Sequence, residues 1–556
     1  MVTASTLLKL GLAFSTVVIV HYAAKLLHRV FHSYFSPLRD LKGPKSTSLF
    51  YGNLKEIFTA EAMDLHERWR EEYGPVYKYK GFFNSDRLVM MDNKATSHIL
   101  SHPQIYEKPE QVRYNLGQIL GQGLSSSRLR SPTVCSPAFG SPQIRELTSI
   151  FLEKSIQLRD LWSAEIHKAS TVNGNESGER VIIDVCDWLS KMTLDVIGLA
   201  GFNYSFNALN SHGKPNELNE AVRTMFHSPG GFGAVLPVLQ AVFPPLRIFV
   251  NKRGRIVAAA QNTMFRIGSQ LLAERKAFVF AAANGRAGGN AGVEKKSVQG
   301  RDLLSLLVKA NMATDLPAEA RLDDADVLAQ VPTFLVAGHE TTSTAVTWAL
   351  FALSTHPEAQ AKLRAELLSV PSEPMPTMEE LDRLPYLDAV VRETMRSFSP
   401  VPSTVRVANQ DDIIPTEAQW EDKKGVWRRE VRVTKGDSIF VPILATNRSK
   451  ELWGEDAREF KPERWDNPPE AIQSIPGIWG NSLAFSGGSR ACIGYRFSVI
   501  EMKAMIFVLI RAFQFDMSVP LEDIKSKSAV VRRPYLASDP EKGSQMPLWI
   551  SPVRTV

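Results

Sequence analysis

The sequence predicts a mainly helical protein with minor β-sheet, the class called α+β. Three long stretches place apolar residues at helical spacing, at about Gln143–His167, Ile256–Phe280 and Asp326–Ser354. Strand-like patterns are short and are scattered along the chain. The chain has 556 residues, of which 44% are hydrophobic and 22% charged, so it can bury a large core.

The first element is predicted to be a membrane span. The stretch Ala4–Leu27 is largely apolar, and its central part, Leu10–Ala24, carries no formal charge. This length is enough for one tilted crossing of a bilayer. The basic residues Lys25, His28 and Arg29 at its end place the rest of the chain in the cytosol. A cleaved signal peptide is the alternative, but the run lacks a clean small-residue cleavage site.

The composition divides the chain into a short N-terminal part and one long body. Residues 1–36 form the predicted anchor with its basic flank, and residues 37–45, punctuated by Pro and Gly, form a hinge. Residues 46–556 show no break in composition and are predicted to be a single domain.

The body is predicted to alternate short helices and strands around the three long helices. Further helices are expected at Asp64–Tyr73, Asn93–Ser101, Val185–Gly201, Tyr386–Arg396 and Tyr495–Phe513. Strands are expected at Val76–Lys80, Leu88–Met91, Val405–Val407, Val431–Thr434 and Ser438–Val441.

Charge and cysteine content exclude several classes of function. The net charge is only +6 and the basic residues are dispersed, so no nucleic-acid partner is expected. Three cysteines, Cys135, Cys186 and Cys492, cannot form a disulfide framework, which suits a reducing compartment. Because no dinucleotide-binding fingerprint follows a predicted strand, the chain is expected to carry no nicotinamide or flavin module of its own.

A glycine-rich loop near the C-terminus carries one of these cysteines in the run F-S-G-G-S-R-A-C-I-G, residues 485–494. The loop leads into a predicted helix, so Cys492 lies at the positive end of the helix dipole, where thiolate is favoured over thiol. The glycines allow the backbone to lie flat against a large planar ligand. Arg490 adds a fixed positive charge that suits a carboxylate on this ligand.

The spacing F-x-x-G-x-R-x-C-x-G resembles the haem-binding loop of the cytochromes P-450. The matching residues are Phe485, Gly488, Arg490, Cys492 and Gly494. The resemblance implies haem b as cofactor, with the Cys492 thiolate as the axial iron ligand. It also implies the P-450 fold, a helical haem domain with small β-sheets, here with a single N-terminal membrane anchor.

An acid and an alcohol lie side by side in the longest predicted helix, in the run A-G-H-E-T-T at 337–342. Both groups need partners in mid-helix, and a Thr can compete for the carbonyl four residues back. The run matches the A-G-x-E-T segment of the P-450 family, which implies that Glu340 and Thr341 deliver protons during oxygen activation. A polar seam against another helix is the alternative, and His339 is interpreted as a structural residue.

Two further segments resemble the family in the expected order. Glu393 and Arg396 share one face of a predicted helix, and on spacing alone they would be an ordinary surface pair. In the family, an arginine at the position of Arg464 joins this pair in a buried cluster. The resemblance therefore implies that Glu393, Arg396 and Arg464 form a structural network that holds the cysteine loop.

One segment, Ser125–Cys135, departs from the family between two matching flanks. The family has a basic helix here that holds a haem propionate, but this segment is rich in serine and contains Pro132. Arg490 and Arg406 are assigned to the propionates, and Arg128 and Arg130 are candidates to replace the missing donor. Loss of one charge-assisted bond costs about 1.5–3 kcal/mol, so substoichiometric haem is expected.

The resemblance implies a membrane-anchored haem-thiolate monooxygenase that inserts one oxygen atom of O₂ into a small lipophilic substrate. Electrons are expected from NADPH through a separate NADPH-cytochrome P-450 reductase, with cytochrome b5 as a candidate second donor. The body resembles fungal microsomal members, which implies a single-pass protein of the endoplasmic reticulum membrane with a cytosolic catalytic domain. Terpenoid-type secondary metabolism is the expected setting.

Three alternative functions stay open. One is a monooxygenase that oxidises xenobiotics, and another is a haem-thiolate isomerase or dehydratase that needs neither O₂ nor a reductase. Retention of Glu340 and Thr341 argues against the isomerase, which has no use for proton delivery to dioxygen. The third is a degenerate protein without catalysis, which the abnormal Ser125–Cys135 segment keeps open.

Overall fold

The computed structural model describes residues 4–61, 63–120, 139–173, 180–210, 252–287, 302–312, 324–371, 375–528 and 530–553, with short pieces at 217–218, 221, 240, 243–248 and 373. The chain divides into two units, which are described separately. The sheet unit comprises Met1–Gln111, Pro229–Arg255 and Thr404–Pro442. The helical unit comprises Val112–Ser228, Ile256–Ser403 and Ile443–Val556.

The sheet unit begins with a long helix and continues into short helices and strands. Its helices are α1 (Ala4–Phe35), α2 (Leu54–Thr59), α3 (Asp64–Tyr73) and α4 (Asn93–Ser101), and α5 (Glu110–Leu120) starts at its border. Its strands are β1 (Val76–Lys80), β2 (Asp86–Met90), β3 (Tyr106–Glu107), β5 (Thr404–Ala408), β6 (Asp412–Glu421), β7 (Trp427–Val433) and β8 (Ser438–Val441).

Five of these strands form one sheet in the order β1-β2-β8-β5-β3. The strands β2 and β8 are parallel, and the other neighbours are antiparallel. The strands β6 and β7 form a separate antiparallel hairpin, in which Ile414 pairs with Val431. A compact apolar core that includes Leu38, Leu88 and Ile439 fills this unit. Burial of each such side chain stabilises the folded state by about 1.5–3 kcal/mol.

The helical unit contains the long helices. They are α6 (Ser141–Asn173), α7 (Val185–Phe202), α8 (Lys252–Ala287), α9 (Leu303–Met312), α10 (Asp324–Thr355), α11 (Pro357–Leu368), α12 (Met378–Asp382), α13 (Pro385–Ser397), α14 (Ile443–Asn447), α15 (Lys450–Trp453) and α16 (Tyr495–Ala512). Its strands are β4 (Val181–Asp184), β9 (Phe513–Met517), β10 (Ile524–Ser528), β11 (Arg532–Leu536) and β12 (Pro547–Pro552), which form the sheets β4-β12-β9 and β10-β11.

The helix α10 lies at the centre of the helical unit and packs most extensively on α7. Gly338 permits this close approach, because a Cβ added there would lie 2.9 Å from Ile197 Cδ1. Local signals in the sequence define the neighbouring helix ends. Proline begins both α11 and α13, and Thr377 forms a capping box with Glu380 at the start of α12.

The prediction of a mainly helical α+β protein is confirmed. The predicted elements Asp64–Tyr73, Val76–Lys80, Asn93–Ser101 and Ser438–Val441 have the observed bounds. The membrane span predicted for Ala4–Leu27 is not confirmed, because among the residues described no helix is both long and apolar enough to cross a membrane. The division at residues 36 and 45 stays a prediction.

Candidate active site

The cysteine loop, residues 483–494, folds back on itself through its own backbone. The Cys492 amide donates to the Phe485 carbonyl at 2.9 Å, and the Ser486 amide donates to Leu483 at 2.8 Å. Ser486 has φ 61° and Gly488 has φ 68°, a left-handed conformation that glycine adopts without strain but serine rarely does. Gly494 is the N-cap residue of α16, so Cys492 lies three positions before Tyr495, the first residue of the helix.

The protein around Cys492 shifts its thiol toward the protonated form. The residue is exposed, yet the surrounding protein atoms raise the pKa of its thiol to about 11 by desolvation. The Gly494 amide acts in the opposite direction, as expected for a helix N-terminus, but burial outweighs it. In the chain without haem, burial therefore outweighs the amide contribution from which the sequence predicted a thiolate. Binding of a metal ion in place of this proton would keep the sulfur ionised.

The helix α10 presents a narrow accessible face within a buried element. Between Val331 and Leu350, every residue except Ala337, Gly338 and Thr341 is buried. The Thr341 hydroxyl donates to the Ala337 carbonyl at 2.7 Å, so the predicted competition for a backbone acceptor is observed. Ala337 and Thr341 are four residues apart and therefore share one side of the helix.

The Glu340 carboxylate is buried beside two basic side chains. Its Oε1 pairs with Arg533 Nε from β11, and its Oε2 lies 3.6 Å from His339 Nε2. His339 also donates through Nδ1 to the Leu335 carbonyl at 3.1 Å. Sequence patterns did not indicate Arg533, because it lies on a strand 193 positions further along the chain. The acid and the adjacent alcohol Thr341 therefore have separate partners.

Two contacts bring the cysteine loop and α10 together. The Phe139 ring packs edge-on against Phe334 of α10 with centroids 5.5 Å apart. A Cβ added at Gly494 would lie 3.6 Å from the same Phe139 ring. In addition, the hydroxyls of Thr342 and Ser498 are hydrogen-bonded at 3.0 Å, which joins the middle of α10 to the first turn of α16. The acid–alcohol pair and the cysteine therefore belong to one region.

Glu501 lies one turn beyond Ser498 and is fully buried. Against the opposing effect of the Thr342 hydroxyl, desolvation raises the pKa of this carboxyl well above its usual range, which favours its protonated form. Sequence reasoning did not identify it. The signal was an acid within the apolar run of α16, V-I-E-M at 499–502.

The structure brings Glu393, Arg396 and Arg464 together in the interior of the helical unit. Two bonds join Arg396 to Glu393, Nε to Oε2 at 2.8 Å and Nη2 to Oε1 at 2.7 Å, and both residues are completely buried. Arg464 Nε lies 3.5 Å from Glu393 Oε1. Burial of this kind distinguishes the group from the surface pair that the spacing alone would suggest.

Asn447 connects this cluster to the cysteine loop. Arg396 Nη1 donates to the Asn447 carbonyl at 3.0 Å, and Asn447 Oδ1 accepts the amide of Leu483, the first residue of the loop, at 2.9 Å. Asn447 is fully buried between the two. No local pattern in the sequence indicates this role of Asn447, which depends on tertiary contacts.

Arg406 lies on β5 of the sheet unit and is 7% exposed. Its Nη1 donates to the Val405 carbonyl at 2.9 Å and to the Thr404 hydroxyl of the same strand. Its assignment to a haem propionate stays a prediction. The Ser125–Cys135 segment, with Cys135, lies outside the described residues, so the predicted weakness of haem binding also stays a prediction.

The residues at the cysteine loop fit a haem. Cys492 is exposed in this loop, whereas Cys186 is half-buried on α7 and desolvation raises the pKa of its thiol further. Arg490 is exposed in the same loop and can meet a propionate, and the exposed backbone at Gly488 leaves room for a planar ring. In the described ranges, no cluster of three or more His, Cys, Asp or Glu could hold a metal ion.

Comparisons with known proteins agree with this site. The family model for cytochrome P450 matches residues 42–538. Cytochrome P450 monooxygenase 205 of Postia placenta is 54% identical over 525 residues, which cover 94% of each chain. Cytochrome P450 monooxygenase 128 of the same fungus is 50% identical over 522 residues, 93% of each chain. Cytochrome P450 monooxygenase claW of Ampulloclitocybe clavipes is 34% identical over 526 residues, again 93% of each chain.

The family match spans most of the chain and includes the cysteine loop, the acid–alcohol pair and the Glu–Arg–Arg cluster. Members of the family are oxidoreductases that use haem with an axial cysteine thiolate. With Cys492 exposed in a loop that the contacts described above connect to α10, the chain belongs to the cytochrome P450 family and is a haem-thiolate monooxygenase.

Proposed function

We propose that this monooxygenase hydroxylates a small lipophilic substrate with electrons from NADPH. In the balanced reaction, the substrate C–H bond becomes C–OH and the second oxygen atom of O₂ leaves as water. NADPH supplies two electrons, and two protons complete the water. The observation that carries the proposal is the accessible Ala337–Thr341 face of a buried helix, next to the cysteine loop.

The haem, when bound through Cys492, supplies the activation of dioxygen. Thr341 offers a hydroxyl on the accessible face of α10, where it can hold a proton or a water molecule. Glu340 is the adjacent acid, and Arg533, which is 21% exposed, places it at the edge of the solvent. The chain therefore provides an acid and an alcohol as a route for protons, with the partly exposed Arg533 paired to the acid.

Apolar residues beside Thr341 support a lipophilic substrate. Phe334, Ala337 and Thr341 have the i, i+3, i+7 spacing of one helix face, and the Phe139 ring packs against Phe334. Such a surface excludes water and favours a hydrocarbon skeleton through burial of apolar area. Terpenoid-type secondary metabolism is the setting that we propose, since the similar proteins named above are monooxygenases of fungi. A xenobiotic substrate is the alternative.

We propose further that the protein works at the endoplasmic reticulum membrane with its catalytic domain in the cytosol. The helix α1 supports membrane attachment, because large apolar side chains along it are exposed. They are Val17, Ile19, Val20, Leu27, Phe31, Tyr34 and Phe35, which are 55–80% exposed. Electrons would come from a separate NADPH-cytochrome P-450 reductase, with cytochrome b5 as a further donor.

Product analysis with isotopically labelled O₂ tests the proposal. The protein is co-expressed with a fungal reductase and supplied with a panel of terpenoid and aromatic substrates. We expect product only in the presence of NADPH and reductase, with one labelled oxygen atom per product molecule. Product formed without NADPH, or without the label, would indicate the isomerase or dehydratase instead.

A further inference from the structure

The turn between β6 and β7 is an exposed apolar and basic projection of the sheet unit. All seven residues of Lys423–Arg429, which we call the hairpin tip, are exposed. Trp427 is 63% exposed and Val426 is 46% exposed, whereas Trp420 of the same hairpin is 7% exposed. The chain therefore buries one tryptophan of the hairpin and presents the other to the surroundings.

Four basic residues flank the two apolar residues of the tip along the chain: Lys423, Lys424, Arg428 and Arg429. The Lys424 side chain is 61% exposed and the Arg428 side chain is 41% exposed. The acids near the tip are already paired, since Asp422 accepts from Arg428 and Glu421 pairs with Lys42. An exposed tryptophan flanked by lysine and arginine is a composition typical of segments at a membrane interface.

The hairpin tip is joined to the end of the exposed apolar helix α1. The Lys423 amide donates to the Asp40 carbonyl at 2.9 Å, and Lys424 Nζ donates to Asp40 Oδ2 at 3.1 Å. Asp40 follows Phe35, the last residue of α1, by only five positions. Five residues span at most about 18 Å, so the tip lies close to the end of the helix.

The turn that follows the hairpin is fixed to the same end of α1. The Ser36 hydroxyl lies within hydrogen-bond distance of both carboxylate oxygens of Asp437, at 2.9 and 3.0 Å, and Asp437 directly precedes β8. His32 Nε2 of α1 donates to the Lys435 carbonyl at 3.1 Å. These contacts lie within one unit and hold the hairpin against the C-terminal end of α1, so that the two form one surface.

We infer that the hairpin tip is a second membrane contact, in which Trp427 and Val426 enter the headgroup layer and the basic residues bind anionic lipid. The inference rests on the proposed membrane attachment through α1 and adds a site to it. A lipid surface is favoured over an acidic protein, because apolar insertion explains the exposed tryptophan and the connection to α1 delivers the tip to the bilayer. Each basic residue at an anionic surface strengthens binding about fivefold.

Fluorescence quenching by brominated lipid tests the contact in the full-length haem protein. The protein is reconstituted into brominated phosphatidylcholine vesicles with and without phosphatidylserine. The parent chain has ten tryptophans, so the lipid-dependent quenching is compared with that of Trp427→Phe. We expect quenching to fall by up to a tenth of the total emission in Trp427→Phe, and the difference to be larger with phosphatidylserine.

The matched control is Trp420→Phe, which removes the buried tryptophan of the same hairpin and should leave the lipid-dependent quenching unchanged. Lys423→Glu with Arg429→Glu should abolish the effect of phosphatidylserine. Equal quenching in the parent and Trp427→Phe would overturn the inference. A second result would also overturn it. In that result, Lys423→Glu with Arg429→Glu keeps the phosphatidylserine effect of the parent but needs a severalfold higher reductase concentration for half-maximal turnover. The basic residues would then bind a protein partner. The carbon monoxide spectrum of each variant separates either result from failure of the haem site.

Discussion

At the scale of single residues, the hydroxyl of Thr341 is the group whose contacts bear most directly on chemistry. It lies on the accessible face of α10 and donates to the Ala337 carbonyl at 2.7 Å. The bond is made to the backbone of the same helix, so a water molecule can replace it without loss of a contact between elements. Thr341 can therefore turn its hydroxyl toward a reacting group without breaking the core.

Substitution of Thr341 by alanine should uncouple the reaction while haem still binds. A positioned proton donor contributes about 10²–10⁴-fold, so product formed per NADPH consumed should fall by about tenfold or more as oxygen is reduced to peroxide. Parallel assays of NADPH, peroxide and product measure this ratio. Thr347→Ala is the control, because Thr347 makes the same bond to Ser343 in a buried part of α10. An unchanged ratio in Thr341→Ala would show that protons follow another route.

Arg533 should act as a positioning residue for Glu340. Its replacement by glutamine leaves a buried carboxylate without its ion-pair partner, which costs about 3 kcal/mol or less because Arg533 is 21% exposed. We expect a lower unfolding midpoint and a lower product-to-NADPH ratio in Arg533→Gln, with the ratio largely restored in Arg533→Lys. Thermal unfolding and coupling assays measure both. Equal ratios in all three proteins would limit Arg533 to a structural role.

Residue identities at the site were largely predictable because they form short local patterns. Phe485, Gly488, Cys492 and Gly494 lie within ten positions, and their contacts are mostly within the same loop. The pKa of Cys492 was not predictable, since it depends on how many atoms of distant segments surround the sulfur. The same holds for Arg533 and for Glu501, whose roles arise from contacts between separate elements.

At the scale of elements, α10 depends on close packing with α7. Gly338→Ala should destabilise the fold by about 1–3 kcal/mol, because the new Cβ would lie 2.9 Å from Ile197 Cδ1. Ile197→Val removes that methyl group, so the double variant should recover part of the loss. Denaturant unfolding of the single and double variants measures the coupling.

The control for this pair of helices is Gly201→Ala on α7. The added Cβ would lie 3.4 Å from Ile197 Cδ1, an ordinary contact, and alanine favours a helix over glycine by about 1 kcal/mol. Gly201→Ala should therefore be neutral or stabilising. A loss of stability equal to that of Gly338→Ala would contradict the assignment of Gly338 to close helix packing.

The connection from the Glu–Arg–Arg cluster to the cysteine loop passes through Asn447. Asn447→Ala removes the acceptor of the Leu483 amide, and an unsatisfied buried donor costs about 1–3 kcal/mol. We expect a lower haem-to-protein ratio with helical content retained, measured by absorbance and circular dichroism. Ser399→Ala leaves the Leu483 amide bonded, since it removes the other bond of the Asn447 side chain and the bond of Ser399 to the Met395 carbonyl, and it should lower haem content less. Full haem content in Asn447→Ala would exclude this connection as a support of the loop.

At the scale of the whole molecule, the helices were easier to predict than the sheets. Long helices such as α10 show their period within one continuous segment. Strand pairing joins segments that are far apart in sequence, as in β2 with β8, and nothing local specifies the partner. The attachment of the hairpin β6–β7 to the end of α1 could not be predicted for the same reason, since Asp40 and Lys424 are 384 positions apart.

The central claim is that this chain is a haem-thiolate enzyme whose iron ligand is Cys492. The most direct measurement is the carbon monoxide difference spectrum of the reduced membrane fraction. We predict a thiolate-type spectrum for the parent protein and for Cys186→Ala, because Cys186 lies on α7 outside the cysteine loop, and none for Cys492→Ala. A thiolate-type spectrum from Cys492→Ala would contradict the account.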